Sequence, residues 1–109
     1  MAWLVVDGRV MASAEIVHGR RDRARGLLGR TDHEGALVLS PCRWIHTFGM
    51  QFPLDVGYLD QEGVVLKTVR MNRNRLGLPI PKARVVVEAE AGAFARWGLH
   101  VGDLVELRQ

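Results

Sequence analysis

Residues 42–69 read CRWIHTFGMQFPLDVGYLDQEGVVLKTV, and the spacing of large residues in this stretch decides the fold class. Cys42, Trp44, His46, Phe48, Met50, Phe52, Leu54, Val56 and Tyr58 fall on one parity, while Arg43, Ile45, Thr47, Gly49, Gln51, Pro53, Asp55 and Gly57 fall on the other. A period of two is the mark of extended chain, because successive strand side chains point to opposite faces. Pro53 has no N–H to give to a ladder, so the pattern divides into two strands near residues 51–53. The second, Leu54 to Asp60, enters a turn at Asp60-Gln61-Glu62-Gly63 and returns as Val64 to Val69, a hairpin. This parity puts Trp44, His46, Phe48 and Met50 on a core-facing side. Thr47 and Asp55 fall on the other side and are expected to be the more exposed.

Working outward from this stretch, the flanks also read as strands. Trp3-Leu4-Val5-Val6, then Asp7-Gly8, then Arg9 to Val17 predict a hairpin, because Asp-Gly supplies the two positive φ angles of a type I′ turn. Residues 20–30, RRDRARGLLGR, predict a short helix with Ala24, Leu27 and Leu28 on one face and Gly29 ending it. Ala36 to Ser40 is a short apolar strand punctuated by Pro41. Residues 70–84, RMNRNRLGLPIPKAR, read as a long loop, and a loop of that length is uncommon unless functional or flexible. Val85 to Ala91 is a strand whose Glu88 and Glu90 share one parity, which predicts a solvated face. Ala93 to Trp97 forms one helical turn closed by Gly98, and Leu104 to Leu107 is the last strand. The fold class expected is α+β: a compact single domain over residues 1–109, mostly antiparallel β in a barrel-like or sandwich-like sheet, with one or two short helices.

Composition narrows the function. A chain of 109 residues with 48% apolar and 25% charged residues is one globular domain with core enough to need no staple. Its one cysteine, Cys42, excludes an internal disulfide framework and a multi-cysteine metal site. The start, MAWLVVDGRVMA, lacks a secretory signal, and no apolar run reaches the 18 or so residues of a membrane span, so a cytoplasmic protein without a membrane partner is expected. The net charge of +3 conceals a segregation: residues 18–30 carry +4, residues 67–84 carry +6 with no acid, and the remainder carries −7. Two such segments would make an anion-attracting face if they adjoin in space. Neither contains an aromatic residue for base stacking, which disfavours nucleic acid beyond weak, nonspecific phosphate contact.

His46 is the residue whose pKa range suits a general base or a ligand, although its parity also allows a neutral core histidine. A Cys42/His46 nucleophile–base pair on one strand would be separated by about 13 Å, beyond hydrogen-bond reach. His18, His33, His46 and His100 are scattered without metal-ligand spacing, so no metal and no cofactor are expected. Arg25-Gly26-Leu27-Leu28-Gly29 fits neither a dinucleotide nor a P-loop glycine pattern.

Several short motifs follow one another in a fixed order: Arg25-Gly26-Leu27-Leu28-Gly29-Arg30, Ile45-His46-Thr47-Phe48-Gly49-Met50, Phe52-Pro53-Leu54-Asp55, Leu59-Asp60 through Gly63-Val64-Val65, Val87-Glu88-Ala89-Glu90-Ala91-Gly92 and Gly98-Leu99-His100-Val101-Gly102-Asp103. Together they resemble the uncharacterised bacterial and archaeal family called domain of unknown function 192, over roughly residues 12–107. The resemblance implies a small α+β domain built mainly from strands, and it carries over no catalytic residue. Many members have Phe-Trp-Met-Lys-Asn-Thr just before the Pro-Leu-Asp. Here Ile45 to Met50 occupy that place without the lysine and asparagine, so no role resting on that pair transfers. Many relatives also look exported, which this chain does not.

The residues therefore favour a binding module over an enzyme. Its ligand is expected to be an anionic small molecule or a protein partner, met by His46, Thr47 and Asp55 together with Arg70, Arg73 and Arg75. The alternatives are a small enzyme with His46 and Asp55 as acid and base, which requires both to line one pocket, and a weak nonspecific nucleic-acid binder.

Overall fold

A computed structural model of the chain describes residues 2–17, 35–47, 50 and 52–109. Among the described residues, seven strands and one short helix follow in the order β1 (Ala2–Val6), β2 (Arg9–Val17), β3 (Ala36–Leu39), β4 (Leu54–Leu59), β5 (Val65–Met71), β6 (Val85–Glu90), α1 (Ala93–Trp97) and β7 (Val105–Arg108). They form a single sheet in the order β5-β4-β6-β3-β2-β1-β7. The helix expected over residues 20–30, and the basic segment 18–30, lie outside the described residues.

Both expected hairpins form. Asp7 and Gly8 turn the chain between β1 and β2 with φ of 50° and 81°, the double positive φ of a primed turn. Asp60 closes the β4–β5 turn, its Oδ1 accepting the backbone N–H groups of Glu62 at 2.9 Å and Val64 at 3.0 Å. The sheet is mixed rather than simply antiparallel, because β2 and β3 pair in parallel while the other pairings are antiparallel. Periodicity cannot reveal that difference: parallel and antiparallel strands share the same alternation, and the pairing depends on which strands become neighbours.

The two outermost strands meet at one end. Val64 bridges Leu104, Val65 N–H donates to the Asp103 carbonyl, and Val105 N–H donates to the Gly63 carbonyl, both at 2.9 Å. The sheet is thus curled into a half-barrel, and its two faces carry separate cores. The concave face gathers residues from all seven strands, among them Leu4, Ala14, Val38, Leu59, Val65, Val87 and Val105, and is closed by Ala93 and Phe94 of α1. Gly57 sits under the Phe94 ring, and a Cβ there would lie 3.3 Å from the ring edge, so the missing side chain is what lets α1 approach. Gly98 ends α1 in the left-handed conformation, as expected.

The convex face packs Leu37, Leu39, Leu54, Val56, Tyr58 and Val86. Among the described residues it is covered by two irregular segments. Thr47 N–H donates to the Arg75 carbonyl at 2.8 Å, Gly77 N–H to Ile45 at 3.0 Å and Ile80 N–H to Arg43 at 3.0 Å. Segments 43–47 and 75–80 therefore run antiparallel as a strap across the sheet. Much of the expected loop 70–84 is this strap, and Arg70 and Met71 simply extend β5.

Three expectations from parity are corrected here. Trp44 and His46 face outward, Trp44 being 43% exposed, whereas Ile45 and Thr47 are buried. Met50 is buried, as its parity predicts, and Phe48, expected on the same side, lies outside the described residues. A single strand through that stretch was the wrong premise. Asp55 is 5% exposed because β4 is central to the sheet and every one of its residues is buried, so neither parity meets water. Glu88 is 6% exposed, against the solvated face expected for it, because it lies mid-sheet between Val56 of β4 and Leu37 of β3. Only Glu90, at the strand end, reaches solvent.

Candidate functional site

Where the strap crosses β5 it leaves a cavity of about 320 Å³ on the convex face. Its size sits at the lower end of the range typical of small-molecule sites. Strand pairing explains its walls. Tyr58 of β4 lies opposite Lys67 of β5, Val56 opposite Val69 and Leu54 opposite Met71, so Lys67, Val69 and Met71 share the Tyr58 side of the sheet. Leu76, Gly77 and Leu78 of the strap form the opposing wall, and Arg70, Asn72 and Arg75 complete the lining. Lys67 and Arg75 thus supply the cations beside an apolar wall, while Arg70, opposite Asp55 in the register, directs its guanidinium to that carboxylate on the other face, and no acid is among the described lining residues.

Thr47 holds the strap in place. Its hydroxyl donates to the Asn72 carbonyl at 2.6 Å and accepts the Arg75 N–H at 2.8 Å. Its own carbonyl accepts the N–H groups of Asn74 at 2.8 Å and Met50 at 3.2 Å. Asn74 takes a φ of 57°, a left-handed conformation that asparagine tolerates better than most residues. Trp44 adds a further tie, its indole N–H donating to the Gly77 carbonyl at 2.6 Å. The Trp44 and His46 rings meet edge to face, 6.1 Å between centroids.

Asp55 serves the other face. Its Oδ2 accepts the N–H groups of Gly92 at 2.9 Å and Phe94 at 3.1 Å, and its Oδ1 accepts Arg70 Nε at 3.2 Å. Gly92 offers no side chain to cap α1, so a carboxylate from β4 satisfies the free donors of its first turn.

The expected site residues therefore separate. Arg70 and Arg75 line the cavity; Thr47 supports it from behind; His46, Asp55 and Arg73 do not line it. His46 is exposed on the strap, while Asp55 is buried on the opposite face of the sheet, so the acid–base pairing of these two has no common pocket. Among the described residues no cluster of three His, Cys, Asp or Glu side chains could hold a metal ion. Sequence reasoning passed over Tyr58, Lys67 and Gly77. The available signals were that Tyr58 is the chain's one tyrosine and that Lys67 opens the acid-free basic segment.

Tyr58 is 2% exposed, and burial, then Cys42, then Glu88 push its phenol pKa up, so it is protonated at neutral pH. Glu88, on the same face, is pushed up to about 7 by burial.

The family model of DUF192, described as an uncharacterised group, matches residues 2–107. The chain is similar in structure to a protein of unknown function from Novosphingobium aromaticivorans, at 21% identity and a TM-score of 0.81, covering 96% of this chain and 82% of that one. It is equally similar to a proposed transcription regulator from Sinorhizobium meliloti, at 18% identity and a TM-score of 0.81, covering 96% and 90%. At these identities the likeness is one of fold alone. No curated protein matches.

Proposed function

This chain belongs to the DUF192 family, and we propose that it is a binding module for a small amphipathic anion held in the cavity between β5 and the strap. One observation carries the reading: Lys67 and Arg75 flank an open apolar cleft lined by Val69, Met71, Leu76 and Leu78. Cations at an apolar cavity attract an anion and leave room for its hydrocarbon part, which is the usual division of labour in small-molecule sites. Lys67 makes no hydrogen bond or ion pair among the described residues, so its ammonium is available. Arg70 is engaged by Asp55 on the other face and is not counted among the ligand's partners.

Calorimetric titration with octanoate, octanol and octylammonium tests this. Octanoate is expected to bind and the other two to bind weakly or not at all. Lys67→Ala and Arg75→Ala are each expected to weaken octanoate about twofold to fivefold, the range for a partly exposed charge pair. Equal binding of all three compounds, or none, overturns the reading.

A further inference from the structure

The cavity contains a group that anion binding leaves unused. Tyr58 is 2% exposed, yet its hydroxyl makes no hydrogen bond among the described residues. Leaving a buried donor unsatisfied costs about 1–3 kcal/mol, so buried hydroxyls are normally partnered. Glu88 lies on the neighbouring strand, but Tyr58 pairs directly with Val86, so the carboxyl is a diagonal neighbour acting on the phenol only as a charge. The strap passes over the hydroxyl at Gly77. A Cβ at that position would lie 3.2 Å from the Tyr58 oxygen and 2.9 Å from the Ile45 carbonyl. The one residue of the strap without a side chain is the one above the phenol, and both residues line the cavity.

We infer that the ligand carries a second, neutral oxygen close to its anionic group, a hydroxyl or carbonyl that accepts a hydrogen bond from Tyr58. This inference rests on the anion-binding reading and narrows it to oxygenated carboxylic acids with an apolar tail. Tyr58 and Lys67 are directly opposed across β4 and β5, which sets their Cβ atoms about 5 Å apart on one face. A phenolic donor and an ammonium side by side match a carboxylate with an oxygen two or three carbons along its chain. The tail would then run between Val69 and Met71 of β5 and Leu76 and Leu78 of the strap. Because the phenol holds its proton at neutral pH, it donates and the ligand's oxygen accepts.

The test is calorimetric titration of the full chain with octanoate and with 3-hydroxyoctanoate, alongside Tyr58→Phe and Lys67→Ala. Wild type is expected to prefer the hydroxy acid about fivefold to tenfold, the equivalent of one net hydrogen bond. Tyr58→Phe is expected to bind both acids with the affinity wild type shows for octanoate. Lys67→Ala should weaken both by the same factor and keep the preference. If wild type binds the two acids equally, the inference falls while the anion reading stands, and that comparison requires no variant. A preference that survives in Tyr58→Phe overturns it as well. If neither acid binds, the anion-binding reading fails and the inference with it.

Discussion

The two faces of this sheet are covered by different elements, and their buried polar groups are treated differently. The concave face is closed by α1, and its buried acid, Asp55, has three donors directed at it. On the convex face the described cover is a strap of irregular chain. Beneath or beside it lie a cavity and two buried protic groups, Tyr58 and Glu88, that make no hydrogen bond among the described residues. A helix packs its side chains into a continuous layer, whereas a strap held by backbone hydrogen bonds covers a sheet without filling the space beneath it. On the convex face Thr47 is satisfied within the strap, whereas the Tyr58 and Glu88 side chains find no partner among the described residues.

The largest expected effect falls on the satisfied face. Asp55→Ala removes a buried carboxylate and strands the Gly92 and Phe94 donors at the start of α1. The expected cost is about 3–4 kcal/mol, or a fall in Tm of roughly 15 °C or more. Arg70→Ala, by contrast, should cost under about 1 kcal/mol, because its side chain is 59% exposed and the pair is screened. Thermal denaturation of both variants checks the asymmetry. Equal losses would mean that the ion pair, not the backbone capping, is what Asp55 provides.

Glu88 gives the next largest effect, and it depends on pH. Its carboxyl is pushed up from an ordinary 4.5 to about 7 by burial, so the folded protein holds a proton that the unfolded chain has released. Between those values the native state binds more protons than the unfolded state, so stability falls as pH rises, by up to about 3 kcal/mol in all. The contribution is flat below pH 4.5 and again above about 7. Glu88→Gln should remove this slope, matching wild type near the acid end and exceeding it in stability above neutrality. Denaturant titrations across that window decide it, and a variant with the wild-type slope would place the titration elsewhere.

Thr47→Val keeps the volume of a buried residue but deletes the hydroxyl that bonds Asn72 and Arg75. Both backbone groups lose a partner, for an expected cost of about 2 kcal/mol. Because those groups belong to the strap, octanoate affinity should fall as well. A stability loss with unchanged affinity would show that the cavity does not depend on how the strap is tied.

How much of this was legible in the sequence follows the same division. The hairpins at Asp7-Gly8 and Asp60 to Gly63, the strand at 85–90 and the turn of helix closed by Gly98 were readable because each rests on local chemistry: a positive φ, an Asx turn, a period. Burial in the middle of the sheet was not. Asp55 and Glu88 alternate like surface residues, and only the fold shows that both lie on interior strands whose faces are covered. The strap was misread for another reason. Its two halves, 43–47 and 75–80, lie about thirty residues apart, and its inward face is set by that pairing rather than by the local period. Of the site, the bases Arg70 and Arg75 were legible as charge, while Tyr58 required knowing what lies above it.

The smallest effect gives the sharpest contrast between the faces. In most proteins, replacing a buried tyrosine by phenylalanine deletes a hydrogen bond and costs about 1 kcal/mol. The Tyr58 hydroxyl makes no such bond among the described residues, and the strap residue that passes over it, Gly77, has no side chain to offer one. Tyr58→Phe should therefore leave stability within about 0.5 kcal/mol of wild type, or raise it slightly by removing an unsatisfied donor. Its Phe94 counterpart across the sheet offers no such latitude, since that ring rests against Gly57 and fills the concave core. If Tyr58→Phe cost as much as an ordinary hydrogen bond, the hydroxyl would already be serving the fold. The convex face would then be closed as fully as the concave one.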